Sequence, residues 1–286
     1  MNPFLFHWQL SLSQPLAAEE QTVPAGFVNP VFDIHAAVHL GILLGGDLSM
    51  KHLVSEEGMR LKPLPLELFL TSPWQLHGNA VSRNGAKLLL FTFLPEAVMN
   101  CVPGGERQNV RRLLYTPPNW NCTPFLLPEM KAASRQLAAE HEMLKKNFPA
   151  AVAERKIWLK LVDFLCDAAA AQPESGQREA GGKFARIAPV FEALASRRQV
   201  PLSPARAAEI CCLSESYFHH VFKACMGISF SLYELYFRLN GAAADLAAGA
   251  EIKEIASDWG FCDTSHFSGA FKRHFGIPPS QYRKQR

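Results

Sequence analysis

Three histidines and a tryptophan in the first third of the chain are of types that could bind a ligand. His35 and His39 stand four residues apart, so in an extended strand both side chains would point to the same side. Imidazole nitrogens bind zinc, iron and nickel, and an indole ring offers apolar contact to an organic molecule. Three interpretations stay open for His35, His39, Trp74 and His77: contacts to an organic ligand, a metal site, or purely structural side chains. We favour the organic ligand and expect neither a bound metal nor a cofactor.

The sequence lacks the motifs that commonly identify an active site. It contains no Gly-rich phosphate loop, no GxSxG or HExxH motif and no CxxC pair, which disfavours an enzyme. The adjacent Cys211 and Cys212, together with Cys262, raise the alternative of a redox sensor. Because adjacent cysteines seldom form a native disulfide, we expect these residues to pack as small apolar side chains.

The last third of the chain carries a set of small, polar and basic residues twice. Residues 214–227 and 263–276 repeat one pattern at an offset of 49 residues. In each copy such residues fall at i, i+3, i+4 and i+7, which are neighbours on one face of a helix. They are Ser216, His219, His220 and Lys223 in the first copy, and Ser265, Ser268, Gly269 and Lys272 in the second.

The residues around each copy predict where its helices begin and end. Ser214 and Asp263 are types that cap helix N-termini, and Gly227 and Gly276 suit the left-handed position after a C-terminus. A short helix is predicted ahead of each copy and a long one between them. These further helices cover 203–211, 229–246 and 252–259. A short helix, a tight turn and a second helix form a helix-turn-helix unit, and the sequence predicts two.

Length and composition indicate an α+β protein with two domains. The 286 residues are 48% hydrophobic and 19% charged, which excludes a mostly disordered chain. Short apolar runs between Pro and Gly residues predict a β-rich domain at 1–128, where residues 64–70 alternate as a half-buried strand does. An Ala-, Leu- and Lys-rich helical hairpin is predicted at 129–171, a polar linker at 172–183 and a helical domain at 184–286.

The net charge of +3 is confined to the predicted helical domain. That domain holds 12 Lys and Arg against 9 Asp and Glu, whereas the rest of the chain is neutral, a distribution compatible with nucleic-acid binding. No apolar run approaches the roughly 18 residues of a membrane span. The first fifteen residues lack the basic region and cleavage site of a signal peptide. With seven cysteines that look reduced, we expect a cytoplasmic protein.

The end of the chain forms one long and specific pattern. Residues 252–283 read IKEIASDWGFCDTSHFSGAFKRHFGIPPSQYR. This pattern resembles the signature of the AraC/XylS family of transcription regulators, and the resemblance covers about residues 184–286. The matching residues are Ala256, Gly260, Phe261, Asp263, Phe267, Phe271, Lys272, Gly276, Pro279, Ser280, Tyr282 and Arg283. The resemblance implies two helix-turn-helix units that place their second helices in adjacent major grooves of double-stranded DNA.

The resemblance also implies which side chains would touch DNA. The base-facing residues would be Ser216, His219 and His220 in the first unit, and Thr264, Ser265, Ser268 and Gly269 in the second. The phosphate contacts would come from Lys223, Lys272 and Arg273. This sequence departs from the family at His220 and Gly269, where Arg is common, and at His266, where Tyr is common. Without a base-facing Arg, we expect Ser, Thr and His contacts, water and DNA shape to share the readout.

A shorter resemblance covers part of the N-terminal domain. Residues 66–78, LELFLTSPWQLHG, resemble the strand–Pro–His–Gly segment of the cupin-like sensor domain in many AraC-family regulators. It implies a β-barrel that can enclose a small ligand, and a dimerising role for the hairpin at 129–171. The close His pair and following carboxylate of metal-binding cupins is not evident, and Asp33 and Glu67 are the carboxylate candidates.

Taken together, these features predict a sequence-specific DNA-binding transcription regulator. We expect it to respond to a small-molecule effector, to form a homodimer, and to contact RNA polymerase if it is an activator. Two alternatives stay open: an N-terminal domain that only dimerises, and a metal-binding cupin sensor or enzyme. The apolar stripes of the hairpin would cover either the β domain or a second subunit.

Overall fold

The computed structural model describes residues 10–53, 59–115, 128–171, 177–196 and 200–284. In these ranges the chain forms strands first and helices afterwards. The strands are β1 (Leu16–Val23), β2 (Phe27–Asp33), β3 (Val38–Gly46), β4 (Ser49–Leu53), β5 (Met59–Leu61), β6 (Leu68–Thr71), β7 (Leu76–Ser82) and β8 (Ala86–Phe93). The helices are α1 (Pro95–Cys101), α2 (Arg107–Tyr115), α3 (Pro128–Asn147), α4 (Ala150–Ala170), α5 (Gln177–Ser196), α6 (Pro204–Ile210), α7 (Glu215–Met226), α8 (Phe230–Ala247), α9 (Ile252–Asp258), α10 (Thr264–Phe275) and α11 (Pro279–Lys284).

The strands form two four-stranded antiparallel sheets that face each other. Their strand orders are β1-β8-β3-β6 and β2-β7-β4-β5. Leu88 and Leu90 of the first sheet share one buried cluster with Met50 and Ala80 of the second. The sheets therefore enclose a core between them, and the ligand-type histidines lie in the same layer.

Helices cover the outer face of the first sheet. On β8, Leu89, Phe91 and Phe93 point away from the second sheet and pack on α1–α4. With both faces buried, β8 is apolar almost throughout instead of alternating. The two apolar stripes of the hairpin are buried in this same cluster: Leu137 and Leu144 on α3, and Ile157, Leu161, Phe164 and Leu165 on α4. These stripes therefore cover the β domain, and a second subunit would have to use other faces of the hairpin.

The predicted strand over residues 64–70 is wrong in extent and in exposure. Strand β6 covers only Leu68–Thr71, and all four of its residues are buried. Leu66 has a φ of 67°, a left-handed conformation that no strand continues through. The alternating pattern at residues 64–70 therefore belongs to a turn followed by a strand that is buried on both faces.

Two predicted segment boundaries also need correction. The stretch at 172–183 is not a linker throughout, because α5 begins at Gln177; residues 172–176 lie outside the described residues. The apolar positions of α5, beginning at Phe184 and Ile187, pack on the helices that follow, and this packing stabilises a helix that extends back through the glycines. The region predicted as β-rich ends in two helices, α1 and α2.

Two helix pairs, α6–α7 and α9–α10, organise the C-terminal part around the long helix α8. The predicted caps are confirmed: the Ser214 side chain accepts from the Tyr217 N–H, and the Asp263 side chain accepts from the His266 N–H. Gly227 and Gly276 end α7 and α10 at φ angles of 75° and 78°. Within the described ranges, none of the helices has the length and apolar character that crossing a membrane requires.

Candidate functional site

Helix α7 turns the polar residues of the first copy toward solvent. Phe218, Phe222 and Cys225 are buried on the opposite face and fix the orientation of the helix. The predicted DNA contacts Ser216, His219, His220 and Lys223 are all exposed. His219 Nε2 lies 3.6 Å from the Glu215 carboxylate one turn earlier, so this imidazole lies beside a negative charge.

Helix α10 presents the second copy in the same way. Phe267, Ala270 and Phe271 are buried. Thr264, Ser265, Lys272 and Arg273 are exposed, and Ser268 and Gly269 are half-buried. A Cβ atom placed on Gly269 would have Arg273 Nη1 as its neighbour at 3.7 Å. The Arg273 guanidinium therefore lies over the helix face where a base-facing residue was predicted, although the sequence suggested only a phosphate contact.

An ion pair inside the domain fastens α8 to the second helix pair. The Arg238 side chain donates to both Glu234 oxygens, with Nε–Oε1 at 2.7 Å and Nη2–Oε2 at 3.1 Å. Its Nη1 also donates to the Trp259 carbonyl oxygen at 3.2 Å. Trp259 Nε1 in turn donates to Asp245 Oδ2 at 2.8 Å. These bonds tie the turn between α9 and α10 to α8 and thereby set the direction of α10.

Arg238→Ala is expected to destabilise the protein by about 3–5 kcal/mol, because the Glu234 carboxylate would stay buried without its partner. The Glu234 side chain is only 7% exposed. Urea unfolding of the full chain measures the change. The double variant Glu234→Gln/Arg238→Met is the control, since it removes both charges and is expected to recover much of the loss. An Arg238→Ala protein as stable as the unmodified chain would contradict this account of the ion pair.

The structure brings the three predicted histidines together between the two sheets. Their ring centroids are 4.2 Å apart for His35 and His39, 4.8 Å for His35 and His77, and 5.3 Å for His39 and His77. One ring nitrogen of each lies within 4.8 Å of the others. His39 and His77 stand on β3 and β7, but His35 lies in the loop before β3. His35 and His39 thus meet because the loop before β3 folds back, and not because one strand carries both.

An oxygen atom orients each of these rings. The distances are 3.0 Å from His35 Nδ1 to the Ala37 carbonyl, 2.8 Å from His77 Nδ1 to the Gln75 carbonyl, and 2.8 Å from His39 Nδ1 to Thr92 Oγ1. Burial lowers the pKa of His39 well below its usual value, and the neighbouring His35 and His77 add to that effect. Burial also lowers the pKa of His77. His39 and His77 are therefore neutral near pH 7.

A small cavity of about 40 Å³ lies beside the cluster. Its polar lining includes Asp33, His39, Thr71 and His77. The other candidate carboxylate, Glu67, takes no part, because it pairs with Lys131 at 3.0 Å on another side of the domain.

Trp74 is not among the residues lining this cavity; it joins the β domain to the helices. Its N–H donates to the His35 carbonyl at 2.8 Å, and its own carbonyl accepts from the Tyr233 hydroxyl at 2.8 Å. The indole stacks on Phe191 with ring centroids 6.1 Å apart and an angle of 7° between the planes. The prediction that Trp74 contacts a ligand in the pocket is therefore not supported, since its ring packs on aromatic residues of the helical part.

Sequence reasoning missed two residues of this region. His52 lies opposite His77 where β4 pairs with β7, and the two ring centroids are 6.0 Å apart. Burial lowers the pKa of His52 to about 3. The second is Tyr233, whose hydroxyl bridges the two parts of the chain. Both roles depend on pairings between distant segments, which the local sequence does not signal.

The three cysteines of the redox alternative differ in their burial. Burial raises the pKa of the Cys211 thiol to about 11, so its reactive thiolate is scarce at neutral pH. Cys212 and Cys262 are exposed, so the expectation that they pack is wrong for these two.

The chain is similar to known proteins in its C-terminal part. Residues 207–285 match a family described as a helix-turn-helix domain. The chain is 34% identical over 85 residues to the "Probable transcriptional regulator LumQ" of Photobacterium leiognathi, covering 29% of this chain and 34% of that protein. It is 36% identical over 74 residues to the Msm operon regulatory protein of Streptococcus mutans, covering 26% of this chain and 27% of that protein. The match thus spans about a third or less of these curated relatives.

The whole fold is similar to that of ToxT from Vibrio cholerae. One ToxT structure has a TM-score of 0.58 at 12% identity, covering 94% of this chain and 98% of that chain. A ToxT structure with a bound unsaturated fatty acid has a TM-score of 0.61 at 12% identity, covering 94% and 95%. The shared fold is a β-sheet N-terminal region followed by a helical C-terminal region. The paired and capped helices of the C-terminal part thus agree with the similarity of residues 207–285 to a helix-turn-helix domain.

Proposed function

We propose that the chain is a sequence-specific DNA-binding transcription regulator. The observation that carries this proposal is the pair of helices α7 and α10, which have the same caps, the same buried face and the same exposed polar face. The pairs α6–α7 and α9–α10 act as two helix-turn-helix units, and their second helices enter successive major grooves of DNA. The proposal assigns no catalysis to the chain.

The proposed contacts divide by position on each helix. Base edges are read by Ser216, His219 and His220 on α7, and by Thr264, Ser265 and Ser268 on α10. Lys223 and Lys272 contact phosphates. The position of the Arg273 guanidinium over Gly269 supports a base contact for this arginine in place of the phosphate contact first expected. Arginine is the side chain best suited to guanine, so Arg273 would supply the guanine contact that no residue at the base-facing positions provides.

We further propose that a ligand bound between the sheets of the cupin-like β domain controls DNA binding. Two features support this: the cavity beside the histidines, and the Trp74–Tyr233 hydrogen bond that links their loop to α8. A ToxT structure holds a bound unsaturated fatty acid, which supports a small-molecule site in a protein of this fold. A ligand that fits only one arrangement of the two parts would shift the population between arrangements and so change DNA affinity.

A homodimer is part of the same proposal. Two bound copies would convert two weak DNA contacts into one strong one. Because the apolar stripes of α3 and α4 are buried within the chain, the dimer would use exposed hairpin residues such as Met143 and Leu159. A contact with RNA polymerase follows if the protein activates transcription, and a cytoplasmic location agrees with this role.

The test is selection of DNA sites from a random library by the full-length protein, followed by titration of the recovered site at several salt concentrations. We expect a motif with two specified segments about one helical turn apart. We also expect affinity to fall steeply with salt, because Lys and Arg displace counterions from the phosphates. Recovery of no motif, even at low salt and high protein concentration, would contradict sequence-specific binding.

A further inference from the structure

We propose that His35, His39 and His77 form a binding site for one divalent transition-metal ion of the zinc class. This names the ligand class for the β-domain cavity, which the sequence led us to assign to an organic molecule. Binding of the ion requires only the histidines. Any effect of the ion on DNA affinity rests on the function proposed above.

The three imidazoles are spaced for one shared ion. One nitrogen of each ring already lies within 4.8 Å of the others. Three nitrogens bound to one tetrahedral zinc at about 2.05 Å lie about 3.3 Å from each other. The distances between these nitrogens therefore need to shorten by roughly 1.5 Å at most. His35 belongs to a loop, so it can make most of this adjustment without moving a strand.

The hydrogen bonds prepare the rings as ligands. A backbone carbonyl only accepts, so Nδ1 of His35 and of His77 carries the proton and donates to it. Nε2 is then the unprotonated nitrogen, which is the form that binds a metal. The Thr92 hydroxyl can orient His39 in the same tautomer. Metal-bound histidines usually donate their second N–H to an oxygen in this way, which fixes the ring and raises its basicity.

The cavity beside the cluster is small, and its polar side chains share the lining with apolar ones such as Met50, Phe69 and Leu90. Its volume of about 40 Å³ holds an ion with one or two waters. Pockets for drug-sized ligands are roughly ten times larger. Asp33 lines the same cavity, and the negative charge of its carboxylate favours a cation in this region. Three protein nitrogens leave one position of a tetrahedral ion for water.

The site lies directly behind the contact between the two parts of the chain. The His35 carbonyl accepts from the Trp74 N–H, and the His77 ring donates to the carbonyl of Gln75, the residue after Trp74. Closing these rings on an ion would therefore pull on both sides of Trp74. The same residue accepts the Tyr233 hydrogen bond, so the pull would reach helix α8.

Zinc titration of the full chain tests the site. The protein is prepared without a histidine tag, dialysed against a chelator and titrated with zinc in competition with a chromophoric chelator. We expect one tight equivalent per chain. His39→Gln and His77→Gln each remove a ligand and should lower the zinc affinity at least about 100-fold, because loss of a residue that only supports a ligand already costs about 10–100-fold. Thr92→Val removes such a supporting residue and should lower the zinc affinity about 10–100-fold.

The matched control is His141→Gln, which changes another buried histidine, packed on Phe91 outside the cluster. It should bind zinc like the unmodified chain. If a cluster variant fails to fold, cobalt is bound to the unmodified chain instead and its visible spectrum is recorded. We expect the spectrum of tetrahedral coordination. Three results would each overturn the proposal. They are a chain that binds no zinc, a cobalt spectrum typical of octahedral coordination, and equal zinc affinity in folded His39→Gln and His141→Gln proteins. DNA binding of the same metal-free samples is measured separately, so failure of the metal site and failure of the DNA-binding proposal are distinguishable.

Discussion

Gly241→Ala is expected to destabilise the protein by about 1–3 kcal/mol, which is the cost of overpacking a filled core. Inside a helix this change is normally stabilising by about 1 kcal/mol, so the expected sign is reversed. The reason is that a Cβ atom on Gly241 would overlap the Trp259 ring. That ring cannot swing aside, because it is buried and its Nε1 donates to Asp245. Urea unfolding monitored by circular dichroism measures the change.

Gly269→Ala is the matched control for this prediction. Gly269 also lies inside a helix, but the added Cβ would meet only Arg273 Nη1 at 3.7 Å, an ordinary contact distance. We expect this variant to be more stable by up to about 1 kcal/mol. If both glycine variants gain stability, the close packing of Trp259 on α8 is contradicted.

Ser265→Glu is expected to reduce DNA affinity at least about 100-fold while leaving the fold intact. The loss of one base contact costs about 1–3 kcal/mol, and the new carboxylate would also repel the phosphates beside it. Ser265 is exposed in the first turn of α10, where the helix has no acidic residue. A carboxylate there interacts favourably with the helix dipole, by about 0.3–1 kcal/mol. Fluorescence anisotropy with the selected site gives the affinity, and thermal unfolding gives the stability.

Ser13→Glu controls for the change in net charge, because Ser13 is exposed in a turn of the N-terminal domain. Its DNA affinity should remain close to that of the unmodified chain. A stable Ser265→Glu protein that binds the selected site as tightly as Ser13→Glu would remove α10 from the DNA interface.

The C-terminal helices were predictable because their signals are local. Ser214 and Asp263 cap the helices that they precede, and the two glycines end them as predicted. The strand predicted over residues 64–70 failed because Leu66 adopts a positive φ and the following residues are buried on both faces. Burial on both faces depends on helices supplied by distant parts of the chain, so no local pattern records it.

The ligand site was only partly predictable for the same reason. The histidines do converge, although His35 lies in a loop and not in the predicted strand. The role of Trp74 depends on Tyr233, 159 residues further along the chain, and no spacing rule links two residues so far apart. Residue types thus indicated the chemistry, whereas the tertiary fold decides which of the candidates meet.

The central claim is that α7 and α10 each read their own segment of one DNA site. Site selection repeated with His220→Ala and with Ser268→Ala tests it directly. We predict that each variant relaxes base preference in one segment and leaves the other, about 10 base pairs away, unchanged. Uniform weakening of binding by both variants, with no change in base preference in either segment, would contradict the claim.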